Sequence, residues 1–143
     1  MLRFIFPGIM LLISAYTDIK ERVIYSEVVV VFLAGALVLG ALPGAEGLPS
    51  LLMGAGLGLL MAVASVLSRG KLGMGDSLLF IVLGLYLGFE INLTLLMFSL
   101  LLSSFYSMGL MVLKRAPGGL KFEYPFSPFI FAAYLIMICF GVR

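Results

Sequence analysis

Histidine is missing from this chain, and cysteine occurs only once, as Cys139. Without histidine, the chain alone can build neither a zinc hydrolase centre nor a Ser-His catalytic triad. A single cysteine excludes an intrachain disulfide framework and a cysteine metal site. We therefore expect a protein that uses no metal and no cofactor.

Charge is scarce as well: 11% of the 143 residues are charged, whereas 63% are hydrophobic, and the mean hydropathy is +1.24. Such values lie outside the range of soluble domains and predict an integral membrane protein embedded in a lipid bilayer. Spans of roughly 20 residues leave room for about six helices and no second soluble domain. Residues 1–143 are therefore predicted to form one all-α transmembrane domain, with no nucleic-acid partner.

Six apolar runs are predicted to span the membrane, at about residues 2–18, 26–43, 48–68, 76–89, 91–113 and 125–142. The fourth run is short for a full crossing. We interpret the first as a retained span rather than a signal peptide, because charged residues follow it without a small-x-small cleavage pattern. A β-barrel does not fit, since the runs are continuously apolar rather than alternating.

Glycines recur along two of these runs, at Gly54, Gly56 and Gly58 in the third and at Gly84 and Gly88 in the fourth. Stripes of small residues allow the backbones of membrane helices to approach closely. These glycines are therefore predicted to serve helix packing.

Basic residues fall mainly in the loops after the first, third and fifth runs. The opposite loops, at residues 42–49 and 89–92, contain no Lys or Arg, and only the terminal Arg3 and Arg143 depart from the pattern. Positive loops stay in the cytoplasm, so both termini are predicted to lie outside. The loop residues that carry this prediction are Lys20, Arg22, Arg69, Lys71, Lys114, Arg115 and Lys121.

The chain has two aspartates, Asp18 at the end of the first run and Asp76 at the start of the fourth. The orientation above places both on the cytoplasmic face. A carboxylate at the edge of a lipid-buried segment costs free energy unless it is paired or hydrated. Taken singly, Asp18 could be an ordinary interfacial residue and Asp76 a helix cap. Taken together, they suggest one shared site.

Two carboxylates in one site are the catalytic groups that an aspartyl protease uses. Peptide hydrolysis needs one ionised group to take a proton from water and one neutral group to donate to the carbonyl oxygen. Repulsion between carboxylates a few ångströms apart raises the pKa of one of them and produces this mixed state. Gly73 and Gly75, next to Asp76, would permit unusual backbone conformations and the close approach of a peptide.

Three segments of the chain resemble the type IV prepilin peptidases. The run Asp18-Ile19-Lys20-Glu21-Arg22-Val23-Ile24 resembles their first-aspartate motif, and Gly73-Met74-Gly75-Asp76 resembles their GxGD motif, which presenilin-type proteases share. Pro125-Phe126-Ser127-Pro128-Phe129 resembles the proline-containing segment before their last span. The resemblance implies that Asp18 and Asp76 are the catalytic pair.

The resemblance also implies an activity and a location. The enzyme would sit in the inner (plasma) membrane of a prokaryote with its site facing the cytoplasm. It would remove the short basic leader of prepilin or pseudopilin precursors, in type IV pilus assembly or protein secretion.

The chain departs from the family pattern at two places. Ile24-Tyr25-Ser26 replaces a frequent Ile-Pro-Asn, and Leu78 replaces a frequent Lys; both changes could alter substrate choice. Larger members also carry a Cys-x-x-Cys segment and N-methylate the cleaved pilin. That segment is absent here, so we expect cleavage without methylation.

Further residues are predicted to shape the site. Glu21, Glu27 and Glu123 could attract a basic leader; the alternative is that they are ordinary solvated loop charges. Pro125 and Pro128 could keep the start of the last span unwound beside the site; the alternative is a simple helix start.

Two other functions stay open at this stage. One is a presenilin-like protease that cuts within a span. The other is a non-catalytic scaffold or ion-coupled transporter, since carboxylates inside membranes often carry ions or protons. The sequence also leaves open which prepilin is the substrate and whether the chain forms a homo-oligomer.

Overall fold

The computed structural model describes residues 2–21, 26–40, 48–68, 73–112 and 125–141. Every regular element within these ranges is a helix, which confirms the all-α prediction. The helices are α1 (Leu2–Glu21), α2 (Ser26–Gly40), α3 (Leu48–Leu67), α4 (Met74–Val112) and α5 (Ser127–Cys139).

Two segments are long and apolar enough to cross a membrane by length and composition, Pro49–Leu67 and Met74–Val112. Shorter apolar helices lie at Glu27–Val38 and Ser127–Cys139. Many large apolar side chains on the helices are exposed, which suits a lipid environment. The six apolar runs of the sequence fall on the five described helices, because the fourth and fifth runs both lie within α4.

Helix α4 changes direction at Gly88. This residue has φ 78° and ψ 179°, a non-helical conformation that glycine adopts readily. Beyond it, Asn92 Nδ2 donates a hydrogen bond to the Phe80 carbonyl at 3.0 Å. Twelve residues of straight helix would separate these two positions by about 18 Å. The chain therefore folds back at Gly88, close to the gap predicted between the fourth and fifth apolar runs.

Helices α3 and α4 pack backbone against backbone at glycines. A Cβ on Gly84 would overlap the backbone of Gly54, and a Cβ on Gly58 would overlap that of Ile81. Asn92 joins this contact, because its Nδ2 also donates to the Gly54 carbonyl at 2.9 Å. The packing prediction is confirmed for these three glycines. It is wrong for Gly56, whose missing Cβ would meet nothing within 4 Å.

The buried core centres on the part of α4 before Gly88 and on the faces of α1 and α5 turned towards it. Tyr86 donates its hydroxyl to the Phe32 carbonyl at 2.8 Å and thereby ties α4 to α2. Tyr134 donates to the Phe4 carbonyl and ties α5 to α1. Fully buried core residues include Met10, Leu11, Leu79, Phe80, Leu83, Leu95, Ile130 and Ala133.

Candidate active site

Asp18 lies in the last turn of α1, and its side chain is partly buried. The helix continues to Glu21, beyond the predicted end of the first span at residue 18. Just before Asp18, the Thr17 hydroxyl donates to the Ile13 and Ser14 carbonyls, both at 3.1 Å, and so binds its own helix. Asp18 is thus carried on regular helix rather than on a loop.

Asp76 is the third residue of α4 and lies inside its first turn, with its side chain partly buried. The helix start is held by Ser77, whose backbone N–H and hydroxyl donate to the Gly73 carbonyl at 3.3 and 3.2 Å. A carboxylate here benefits from the positive end of the helix dipole.

Gly73 leaves space for the Asp76 carboxylate. A Cβ at this position would lie 2.5 Å from Asp76 Oδ2, because the Asp76 carboxylate folds back over residue 73. The role expected from the sequence, backbone freedom and the approach of a peptide, stays a prediction. Gly75 is the second residue of α4 and is partly buried.

The start of α5 meets Asp18. Phe126 is the N-cap residue, Ser127 is the first helical residue, and Pro128 follows it. The first N–H groups of a helix have no partner within the helix. The Ser127 N–H finds one outside it, because it donates to Asp18 Oδ2 at 3.0 Å.

Ser127 also reaches the second aspartate. Its hydroxyl donates to Asp76 Oδ1 at 3.4 Å, and the residue is fully buried. The carboxylates of Asp18 and Asp76 are close enough to interact electrostatically. Three chain segments that are remote in sequence therefore converge on one point, which carries two carboxylates. Such a pair can act as general base and general acid.

The remaining predicted site residues are placed less centrally. Pro125 precedes α5 and Pro128 lies in its first turn, both partly buried, so a proline-containing helix start flanks the aspartates. Glu21 is exposed one turn after Asp18, and Glu27 is exposed in the first turn of α2. Glu123 lies outside the described residues.

Some of the positions at which the chain departs from the family pattern lie within the described residues. Leu78 is 40% exposed and stands two residues after Asp76. Residues two apart on a helix do not face each other, so Leu78 points away from the side of α4 that carries Asp76. Ile24 and Tyr25 lie outside the described residues.

Ser127, which contacts both aspartates, is not among the site residues predicted from the sequence. In the segment Pro125–Phe129 the sequence prediction rests on the prolines. The available signal was a hydroxyl between two prolines at the start of an apolar run. Within the described ranges, no group of three His, Cys, Asp or Glu residues could hold a metal ion.

The helices and the paired carboxylates define the class: an α-helical protein with membrane-type helices and a two-aspartate site. The chain matches the model of the Type IV leader peptidase family over residues 5–112, and it belongs to this family. The resemblance noted in the sequence is thereby confirmed. The matched range contains Asp18 and Asp76 and ends before α5.

One curated relative is the "Prepilin leader peptidase/N-methyltransferase" of Bacillus subtilis (strain 168). It is 28% identical over 142 residues, which cover 96% of this chain and 56% of the relative. The chain thus spans little more than half the length of this relative. No solved structure matches the chain.

Proposed function

We propose that this protein is an aspartic endopeptidase that removes the leader peptide of prepilin-like precursors. The observation that carries the proposal is the convergence of Asp18 and Asp76 on Ser127. Membership of the Type IV leader peptidase family supports the same conclusion. The two aspartates are the catalytic residues of this proposal.

The reaction follows from the chemistry of the pair. One carboxylate takes a proton from a water molecule, whose oxygen attacks the carbonyl carbon of the scissile peptide. The other carboxylic acid donates its proton to the carbonyl oxygen. The tetrahedral intermediate then collapses and the C–N bond breaks. The carboxyl group that took the water's proton gives it to the leaving nitrogen, while the other carboxylate regains a proton from a hydroxyl group of the intermediate. No third catalytic side chain is required for this cycle.

The membrane arrangement is part of the proposal. Six crossings result if α1, α2, α3, α5 and the two halves of α4 each cross once, which places both termini on one side. The end of α1 and the start of α4 would then share the face with the basic loops, which is the cytoplasmic face of the plasma membrane. A site there has access to water.

The proposed substrate is a prepilin or pseudopilin precursor with a basic leader. Exposed carboxylates at Glu21 and Glu27 support the attraction of such a leader. The single cysteine, Cys139, allows no Cys-x-x-Cys pair within these 143 residues. We propose that cleavage proceeds without N-methylation. Mass spectrometry of the new N-terminus tests this, because methylation would add one CH2 unit.

The activity itself is tested by co-expression with candidate prepilins in membranes. Wild type should shorten the substrate, whereas Asp18→Asn and Asp76→Asn should leave it uncut. Glu90→Gln is the matched control, since it removes an exposed acid from α4, the helix that carries Asp76, and it should retain cleavage. Sequencing the product separates leader removal from a presenilin-like cut within the apolar helix. Cleavage that survives either aspartate substitution would remove the two-aspartate mechanism.

A further inference from the structure

Ser127 is the residue through which the two aspartates are connected. It is fully buried at the start of α5, and its backbone N–H and its hydroxyl contact different carboxylates. We propose that Ser127 is a positioning residue of the peptidase, which holds Asp18 through its backbone and Asp76 through its side chain. This inference rests on the proposed function.

The contact with Asp18 offsets an unfavourable location. Asp18 stands in the last turn of α1, where the helix dipole disfavours a negative charge. The Ser127 N–H lies at the N-terminus of α5, which is the positive end of that helix dipole. It donates to Asp18 Oδ2 at the ordinary hydrogen-bond distance of 3.0 Å. A backbone N–H can only donate, so Asp18 Oδ2 is the acceptor of this bond. This bond fixes the position of the Asp18 carboxylate within the pair.

The contact with Asp76 is of another kind. A hydroxyl can donate to an ionised carboxylate and can rotate to accept from a protonated one. Its distance of 3.4 Å from Asp76 Oδ1 is long for a bond between oxygens, so the contact is weak. Ser127 can therefore stay in contact with Asp76 in both protonation states. This suits Asp76 to the role of the group that gives up and regains the proton.

Of the two contacts, only the one with Asp76 depends on the serine side chain. Alanine would keep the backbone bond to Asp18 and lose the bond to Asp76. Cysteine has nearly the size of serine but is a poor donor. Threonine would keep the hydroxyl. These three substitutions separate hydrogen bonding from packing.

The first arm of the test measures cleavage kinetics. We expect Ser127→Ala and Ser127→Cys to lower kcat about tenfold with little change in KM, because the hydroxyl acts on the catalytic pair rather than on substrate binding. Ser127→Thr should restore most of the rate. Ser99→Ala is the matched control: Ser99 is also fully buried, but its hydroxyl donates only to the Leu96 carbonyl of its own helix. It should leave kcat unchanged.

The second arm does not require activity. The chain contains only two aspartates, so carboxyl-13C-aspartate labels the catalytic pair alone. The infrared carboxyl bands of the purified, labelled protein should shift in Ser127→Ala and stay in place in Ser99→Ala. Single Asp18→Asn and Asp76→Asn variants assign the bands.

The outcomes separate the two proposals. If wild type cleaves and both Ser127→Ala and Ser127→Cys match it, the positioning role is wrong while the peptidase stands. If Ser127→Cys is as active as wild type while Ser127→Ala is impaired, Ser127 acts through packing rather than through a hydrogen bond, and the positioning role is wrong. If wild type cleaves nothing, the proposed function fails, and the infrared arm still decides whether Ser127 binds Asp76. Unshifted bands in Ser127→Ala would overturn the inference.

Discussion

Ser127 and Asp18 are joined by a 3.0 Å hydrogen bond that links the first residue of α5 to the last turn of α1 across 109 residues of sequence. The bond places a helix N-terminus against the first aspartate. The hydroxyl of the same serine reaches Asp76, the second aspartate. The site is therefore assembled by helix ends, each of which brings one functional group.

Gly73→Ala should impair catalysis without unfolding the protein. The new Cβ would lie 2.5 Å from Asp76 Oδ2, so the carboxylate must move away from its present position. A displaced catalytic group costs on the order of 100-fold in rate. Cleavage kinetics measure the loss. Gly109→Ala is the control, because a Cβ there meets nothing within 4 Å, and it should keep the wild-type rate. Equal rates for the two variants would contradict the geometry at residue 73.

Gly84→Ala should destabilise the packing of α3 on α4. The added methyl group overlaps the backbone of Gly54, which cannot move as a side chain would. Overpacking of this kind costs about 1–3 kcal/mol. Thermal unfolding in detergent should show a lower Tm for this variant and an unchanged or higher Tm for Gly56→Ala, whose Cβ has open space. The reverse order would contradict the packing described for these helices.

Asn92→Ala should destabilise the part of the protein where α4 folds back at Gly88. Its Nδ2 donates to the Gly54 and Phe80 carbonyls and thus links α3 to both halves of α4. Loss of two buried hydrogen bonds costs about 2 kcal/mol. Thr94→Ala serves as the comparison, because Thr94 donates only to the Glu90 carbonyl one turn earlier on the same helix. Unfolding free energies that fall equally in both variants would argue against a special role for Asn92.

The pH–rate profile should be bell-shaped. At low pH both carboxylates are protonated and no base is left, whereas at high pH both are ionised and no acid is left. The two limbs belong to the coupled pair rather than to single residues. The chain has no histidine, so no imidazole contributes to either limb. A rate that keeps rising on the alkaline side would show that no protonated carboxyl group takes part.

The sequence predicted the helices and the two aspartates because their signals are local. Continuous apolar runs predict helices in a membrane protein. A carboxylate at the end of such a run is conspicuous because placing it at the edge of the membrane costs free energy. The reversal at Gly88 was predicted to within about two residues, as a gap between the fourth and fifth runs. Ser127 gave no comparable signal, because a serine in an apolar helix costs little and its partners lie far away in sequence. Gly56 followed the same pattern as Gly54 and Gly58, yet only the structure shows that it faces open space.

Prepilin cleavage by Asp18→Asn, Asp76→Asn and the double variant, compared with wild type in the same membranes, decides whether the two aspartates form one catalytic site. Two residues that act as one catalytic unit are not additive. We expect each single substitution to abolish cleavage and the double variant to be no worse than either. Substantial cleavage by one single variant, or independent and additive losses, would contradict a shared two-aspartate site.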